Sequence, residues 1–306
     1  MSQLGSITAE KEKQMALERR RFQEAKAKML AQQKYKRVAR TAGHIALNIV
    51  VALIVLLPLL YAVSIAFMPS GELFTLDMNI LPKHPTLENF RQALQKVPLV
   101  RFVVNSFLVA GLITFGQIIS CSLAAFSFSF LDFKGKNVLF MLVMATMMIP
   151  GEATIISNYL TVSGWNWLDS YQVLIVPYLT SAMGIFLFRQ FYMSFPADLE
   201  EAAKLDGCST YRMFFTIIFP LSRPIIIPLS IAFFLGNWNN YLWPLIVNKK
   251  PEYRTVMVYL ANMVGGYNTK WNVVIASAML ACLPVFLISL LLQSHLQNSI
   301  KMSGIK

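Results

Sequence analysis

Polar and apolar positions along the chain separate into a polar front followed by six apolar runs. The runs fall at roughly 43–68, 102–130, 138–157, 171–192, 222–247 and 271–293. Each reaches the 20 or so residues that a helix needs to cross a hydrocarbon core about 30 Å thick. Four of them carry an internal proline (Pro58, Pro150, Pro177 and Pro228), and Pro244 and Pro284 add more near the ends. Soluble helices seldom tolerate this, whereas a membrane bundle re-satisfies the freed carbonyls through neighbouring helices. The pattern predicts an all-α membrane protein with six transmembrane helices. No period of 20 to 50 residues repeats along it.

The polar front is of a different kind. Residues 9–37 mix acidic, basic and alanine-type positions without a glycine or proline, which favours helix. The stretch is too polar, and too long before the first apolar run, to be a signal peptide. It predicts a solvated helix against an anionic lipid surface. The expected organisation is therefore residues 1–40 as a basic N-terminal cytoplasmic helix and residues 41–306 as the six-helix transmembrane domain.

Composition supports the membrane reading. Hydrophobic residues make up 56% of the 306 and charged residues 14%, against about 25% charged in an ordinary soluble domain. The net charge of +12 is concentrated in the first forty residues, which hold 11 of the 27 Lys and Arg, so a general nucleic-acid surface is a poor explanation. Six spans put both termini on one side. With the N-terminus inside, nineteen basic residues lie inside and eight outside, which is the favoured sense. Without the front segment the two sides balance, so the orientation rests on that segment. Cys121, Cys208 and Cys282 share no close spacing and argue for neither a disulfide framework nor a metal site. His44, His84 and His295 lie near run ends or in a loop.

Between the fourth and fifth runs stands the polar hairpin EAAKLDGCSTYRMFFTIIFP, Glu201 to Pro220. Pro196 falls where a first helical turn is expected, with Ser194 a candidate cap before it. Asp198, Glu200 and Glu201 crowd the positive end of that helix. Leu199, Ala202 and Ala203 recur at i, i+3, i+4 and give one narrow apolar face. Small alanines would let a short helix seat deeply in a partner's cleft. Gly207 can take the positive φ that ends the helix and reverses the chain. Ser209 can cap a second helix, whose Phe214, Phe215 and Ile218 turn back toward the bilayer until Pro220. The hairpin, about 194–220, reads as a rigid helix–Gly–helix lever.

This spacing resembles the cytoplasmic coupling loop in membrane subunits of ATP-binding cassette importers, where Leu usually stands at the place of Phe219. The resemblance runs from about Pro82 to the C-terminus. It includes LPKHPTLENFRQAL, NSFLVA, AAFSFSFLDFKGKN, MIPGEATII, LFRQFYMSFPADLEEAAKLDG and WNNYLWPLIV. It points to carbohydrate-type permeases, the second permease of maltose-like and glycerol-3-phosphate-like systems, with the type I importer fold. The resemblance implies a second related permease, two ATP-binding subunits and an extracytoplasmic solute-binding protein as partners. It implies a bacterial-type inner membrane and alternating access driven by ATP that those subunits bind and hydrolyse. It makes Glu200, Glu201, Ala202, Ala203, Asp206 and Gly207 the ATPase-coupling set, with Glu201 and Gly207 at its core.

The chain itself has no Gly-x-x-x-x-Gly-Lys-Ser/Thr loop to cradle ATP, and no Ser/His/Asp or paired-carboxylate arrangement. It is read as a non-enzyme without a cofactor of its own. Two polar places within the apolar runs are candidate solute-pathway sites: Glu152 in the third run, and Asn237, Trp238, Asn240 and Tyr241 in the fifth. Counted along straight helices from Val138 and Pro224, Glu152 and Trp238 each lie about 21 Å from the inner end. Amides can bond hydroxyls and aromatic faces can stack on sugar rings; the same residues also serve interfacial belts and helix–helix bonds. The expected solute is a sugar, oligosaccharide or polyol such as glycerol-3-phosphate. The alternatives are an importer of a non-carbohydrate solute, an ion-coupled secondary transporter, for which mid-membrane ionisable groups and inverted repeats would be wanted, and a membrane scaffold working through its basic arm.

Overall fold

A computed structural model describes Met29, Lys34, Tyr35, Arg37 and residues 40–73, 80–95, 98–265 and 269–303, with side chains described as far as Leu290. The expected basic helix of residues 1–40 therefore lies almost wholly outside the described residues. The chain divides into two compact units, Met1–Ala62 and Val63–Lys306. The described part of the first is apolar helix, the beginning of α1 (Arg40–Phe67). Its outward Leu53, Ile54 and Leu57 are exposed, as a lipid-facing surface requires.

The second unit is built around α3 (Leu99–Phe130), preceded by the short α2 (Glu88–Gln95). There follow α4 (Lys136–Ala145), α5 (Ile155–Gly164), α6 (Tyr171–Ile175) and α7 (Ala182–Tyr192). After them come α8 (Ala197–Leu205), α9 (Thr210–Met213), α10 (Phe219–Leu221) and α11 (Arg223–Trp238). The chain ends with α12 (Leu242–Val247), α13 (Val256–Met263) and α14 (Trp271–Ser303). Among the described residues, four helical stretches are long and apolar enough to cross a membrane unaided: 40–67, 99–130, 171–192 and 271–290. Two bent pairs complete six spans, 136–148 with 151–164 and 210–221 with 223–238.

The bends correct the straight-helix expectation, and proline is their cause. In the third span the axis turns by 92° at Ile149-Pro150. Pro150 has no N–H to give and its ring clashes with the carbonyl four residues back. Ile149, as the residue before a proline, is pushed to extended backbone (φ −89°, ψ 115°). Glu152 thus starts a new short helical turn, Gly151–Thr154, and the depth obtained by counting from Val138 does not apply. The fifth run, expected to continue to 247, stops at Trp238. Asn239 and Asn240 lie outside any helix, and Leu242–Val247 forms the separate α12. The 76° bend between Leu221 and Arg223 falls between Pro220 and Pro224, each without a donor for the ladder. Upstream of it, Phe214–Ile218 widens into an i→i+5 turn that absorbs the mismatch.

Helices α3, α7 and α11 pack closely because small residues let their backbones approach. A Cβ on Gly184 would stand 2.8 Å from both Cys121 Sγ and Phe233 Cζ, and one on Gly116 would run into Leu179 Cδ2. Ser120 Oγ donates to Leu179 O at 2.6 Å and Cys121 Sγ to Ser181 O at 3.3 Å, so polar contacts tie the same seam. An apolar cluster of Phe126, Phe128, Phe188, Tyr192, Met213, Phe214 and Ile218 fills one end of this unit. A second, with Val162, Val173, Leu174, Trp243 and Val247, fills the region where α5, α6 and α12 meet.

Candidate functional site

Two places in the second unit carry the polar residues that the sequence singles out. The first is the hairpin of α8 and α9. Pro196, not Ser194, is the residue that precedes α8, with extended φ −59° and ψ 139°. Ser194 Oγ instead donates to Phe191 O at 2.6 Å and closes the preceding helix. Asp198 and Glu200 stand in the first turn, as the dipole favours. Glu200 accepts from Lys204 Nζ at 2.7 Å, an acidic-before-basic pair one turn apart that supports the helix. The carboxylate's hydrogen bond and charge push the Lys204 ammonium above its ordinary value.

The end of α8 is a complete Schellman motif. Gly207 takes φ +67°; its N–H donates to Lys204 O at 3.0 Å, and the N–H of Cys208 reaches Ala203 O at 2.9 Å. A Cβ at Gly207 would meet nothing within 4 Å, so glycine is required by the backbone angle alone. Ser209 then caps α9, its hydroxyl accepting from Arg212 N at 3.4 Å. The expected apolar face divides. Leu199 and Ala203 turn inward, Ala203 with 4% exposure. Ala202, Glu201 and Asp206 are exposed, beside Leu205 at 89% and Tyr211 at 80%. Phe214 and Ile218 are buried and Phe215 is exposed within the widened turn Phe214–Ile218. The hairpin is thus a rigid wedge, anchored by one face and offering small and acidic side chains on the other.

The second place is a cleft of about 250 Å³ between the Pro150 bend, α5, the middle of span four and α12. Glu152 and Asn240 both line it, so two sequence candidates 88 positions apart meet there. Thr154, Asn158, Tyr178 and Trp243 join them. Asn158 Nδ2 donates to Thr154 Oγ1 at 3.3 Å, and the Asn240 side chain stands beside the Tyr178 hydroxyl. Trp243 is fixed by its indole N–H on Val173 O at 2.9 Å. Asn158 and Tyr178 were missed by sequence reasoning. Asn158, a lone amide one turn after Thr154 at the end of the third apolar run, was the available signal for the first. Nothing local marked Tyr178.

The other candidates lie elsewhere. Asn237 Nδ2 donates to Gln117 Oε1 at 3.0 Å and to Phe233 O at 2.8 Å, tying α11 to α3. Trp238 is 4% exposed, packed with Phe234 in an apolar cluster that also holds Phe102 and Tyr259. Tyr241 is exposed just before α12. Among the described residues no group of His, Cys, Asp and Glu could hold a metal ion.

Six apolar spans, two of them bent at prolines, with a capped polar hairpin between spans four and five, define a membrane permease subunit. Residues 116–302 match the family described as binding-protein-dependent transport system inner membrane component, and the chain belongs to that family. It is a multi-pass inner-membrane component of a transport system. It is 33% identical over 265 residues to the sn-glycerol-3-phosphate transport system permease protein UgpE of Brucella abortus (strain 2308), covering 84% of this chain and 94% of that one. The protein of the same name from Escherichia coli O1:K1 is 34% identical over 248 residues, covering 78% and 88%. In fold the chain is similar to a crystal structure of a bacterial ABC transporter involved in the import of the acidic polysaccharide alginate. That likeness has a TM-score of 0.74 at 19% identity and covers 84% of this chain and 96% of that one. The fold is the six-span permease fold of type I importers.

Proposed function

We propose that this chain is the solute-conducting permease subunit of an ATP-driven, binding-protein-dependent importer of a sugar, oligosaccharide or polyol. It carries out no chemistry of its own. ATP is bound and hydrolysed by two separate subunits, a second related permease completes the pathway, and an extracytoplasmic binding protein delivers the solute. Both termini face the cytoplasm.

The observation that carries this reading is the hairpin. An exposed Glu201-Ala202 edge on a short helix, terminated by Gly207 at φ +67° and anchored through Ala203 to the spans, is shaped to seat in a partner and transmit its movement. Glu200, Glu201, Ala202, Asp206 and Gly207 form that contact, while Ala203, expected to share it, lies on the buried anchoring face. Closure of the ATPases would push the hairpin and, through α7 and α11, open the cleft outward; hydrolysis would return it. Directional transport requires the solute to be bound differently in the two states. Glu152 and Asn240 line the solute path, with Tyr241 at its edge. Asn237 and Trp238 support it from within the bundle.

Affinity purification of the tagged chain from native membranes in mild detergent, followed by mass spectrometry, tests the assembly. Recovery of a second permease and an ATP-binding subunit, lost in a Glu201→Lys variant, is the expected result. Recovery of the chain alone, with uptake that collapses with the ion gradient and survives loss of the ATPase, would overturn the reading in favour of an ion-coupled transporter.

A further inference from the structure

The cleft has a charge character that the names of its relatives do not suggest. Its polar lining is one carboxylate, two amides, two hydroxyls and an indole, and no Lys, Arg or His is among the lining residues. Phosphate and carboxylate solutes are recognised by guanidinium forks, ammonium groups or a vacant helix N-terminus. Of the helical starts at the cleft, Gly151–Thr154 already has Glu152 in its first turn, so its positive end is met by the protein's own carboxylate, and α12, which starts at Leu242, is only six residues long. Glu152 is exposed and lines the cleft, where it repels a second anion.

Hydroxylated, uncharged solutes meet the opposite situation. A carboxylate accepts from two vicinal hydroxyls. Asn158 and Asn240 both line the cleft and offer donors and acceptors. Pro177 and Leu242 give the apolar surface on which the C–H face of a sugar can lie. At about 250 Å³, close to the lower end of ligand-pocket volumes of roughly 300–1,000 Å³, the cleft suits one sugar unit at a time.

We infer that this cleft selects uncharged polyhydroxylated solute, a neutral sugar unit, and discriminates against phosphorylated or acidic solute through Glu152. The inference rests on the importer reading above. It separates this chain in specificity from relatives named for glycerol-3-phosphate.

The test is saturation-transfer NMR on the assembled importer in lipid nanodiscs, with no binding protein added. Maltose, sucrose and sn-glycerol-3-phosphate serve as probes at equal concentration. At least one neutral sugar should receive several-fold more saturation than sn-glycerol-3-phosphate. Asn158→Ala and Asn240→Ala should each reduce the sugar signal. Glu152→Gln, at an exposed position that does not endanger folding, should narrow the ratio by raising the phosphate signal. Saturation of sn-glycerol-3-phosphate equal to or above both sugars overturns the inference, as does saturation of neither sugar. A ratio unchanged in Glu152→Gln overturns the role of that carboxylate. Co-purification of the ATPase and ATP-dependent uptake, followed on the same material, report separately on the importer reading.

Discussion

The hairpin and the cleft are both polar interruptions of an apolar chain, and they are built in opposite ways. Every bond that shapes the hairpin is local: Glu200 to Lys204, Gly207 to Lys204, Cys208 to Ala203, Ser209 to Arg212. Its geometry would survive being moved as a block. The cleft has no such local frame. It exists only because a proline bend, the middle of span four and a short helix after span five converge. A lever that must fit a separate protein gains from being rigid by itself. A solute path that must open and close is better made from parts held by different spans, which can separate.

The sharpest way to break this contrast is to strain the hairpin without touching its surroundings. Gly207→Val introduces a β-branched residue at φ +67° with open space around its Cβ. The cost is then backbone strain of about 1–2 kcal/mol, or roughly tenfold in the population of the native turn. ATP-driven uptake in vesicles should fall by about that factor while the chain still inserts, and Gly207→Asn, which tolerates the left-handed region, should retain most of the activity. Valine transporting like glycine would show that the hairpin is not a rigid unit.

A second cut falls on the seam between the two regions. Helix α7 begins four residues after Tyr178 and ends four before Pro196, so it joins cleft to hairpin along its length. Gly184→Ala drives a methyl into Cys121 and Phe233 and should cost about 1–3 kcal/mol, visible as a lower melting temperature in detergent. Gly116→Ala meets only the far end of Leu179, which can rotate away, and should cost less. Equal effects at both positions would mean that the seam yields and does not transmit motion.

The same local-versus-assembled distinction explains what could be read from sequence. The positive φ of Gly207 and the Ser209 cap were legible because capping depends on residues within one or two turns. The number of spans was legible because apolar length is a property of each segment. The 92° bend was not, although Pro150 was in view. Pro58 and Pro284 lie inside α1 and α14, which carry on as single helices past them, so a proline alone does not decide between a kink and a break. Period and composition cannot say whether the Trp238 ring faces a pathway or a neighbouring helix; in the fold it packs with Phe234. Tyr178 became a cleft residue only through the return of the chain 62 positions later at Asn240.

Within the fifth run the comparison narrows to two amides three positions apart. Asn237 bonds Gln117 across two helices, whereas Asn240 stands outside α11 and lines the cleft. Asn237→Ala should lower stability by about 0.6–1.7 kcal/mol, the range measured for interhelical hydrogen bonds, with uptake falling only as far as the folded fraction does. Asn240→Ala should leave the melting temperature unchanged and cut uptake severalfold. If both variants change the two readouts in parallel, the division between a supporting and a lining amide fails.

The smallest effect should come from the loop that ties the cleft's far wall in place. Asp169, at φ +54°, accepts from the backbone N–H of Lys249 at 2.6 Å and of Lys250 at 2.9 Å, and its own N–H donates to Val247 O at 3.1 Å. The end of α12 is therefore latched to the turn before span four. The Lys250 hydrogen bond first, then that of Lys249 and the two lysine charges, hold the Asp169 carboxyl below its ordinary value of 3.8. A carboxyl depressed in the folded state contributes fully above its unfolded pKa and loses that contribution as pH falls through the folded one. Hydrogen exchange at the Lys249 and Lys250 amides, corrected for intrinsic rates, should therefore show constant protection from pH 7 to about pH 5, with loss only below the ordinary carboxylate range. Asp169→Asn should remove the pH dependence and leave uptake nearly unchanged, since both bonds go to Oδ1 and an amide oxygen has two lone pairs to accept them. Protection lost already near pH 6 would mean that another group carries the latch, and the wall of the cleft would then be held by something other than Asp169.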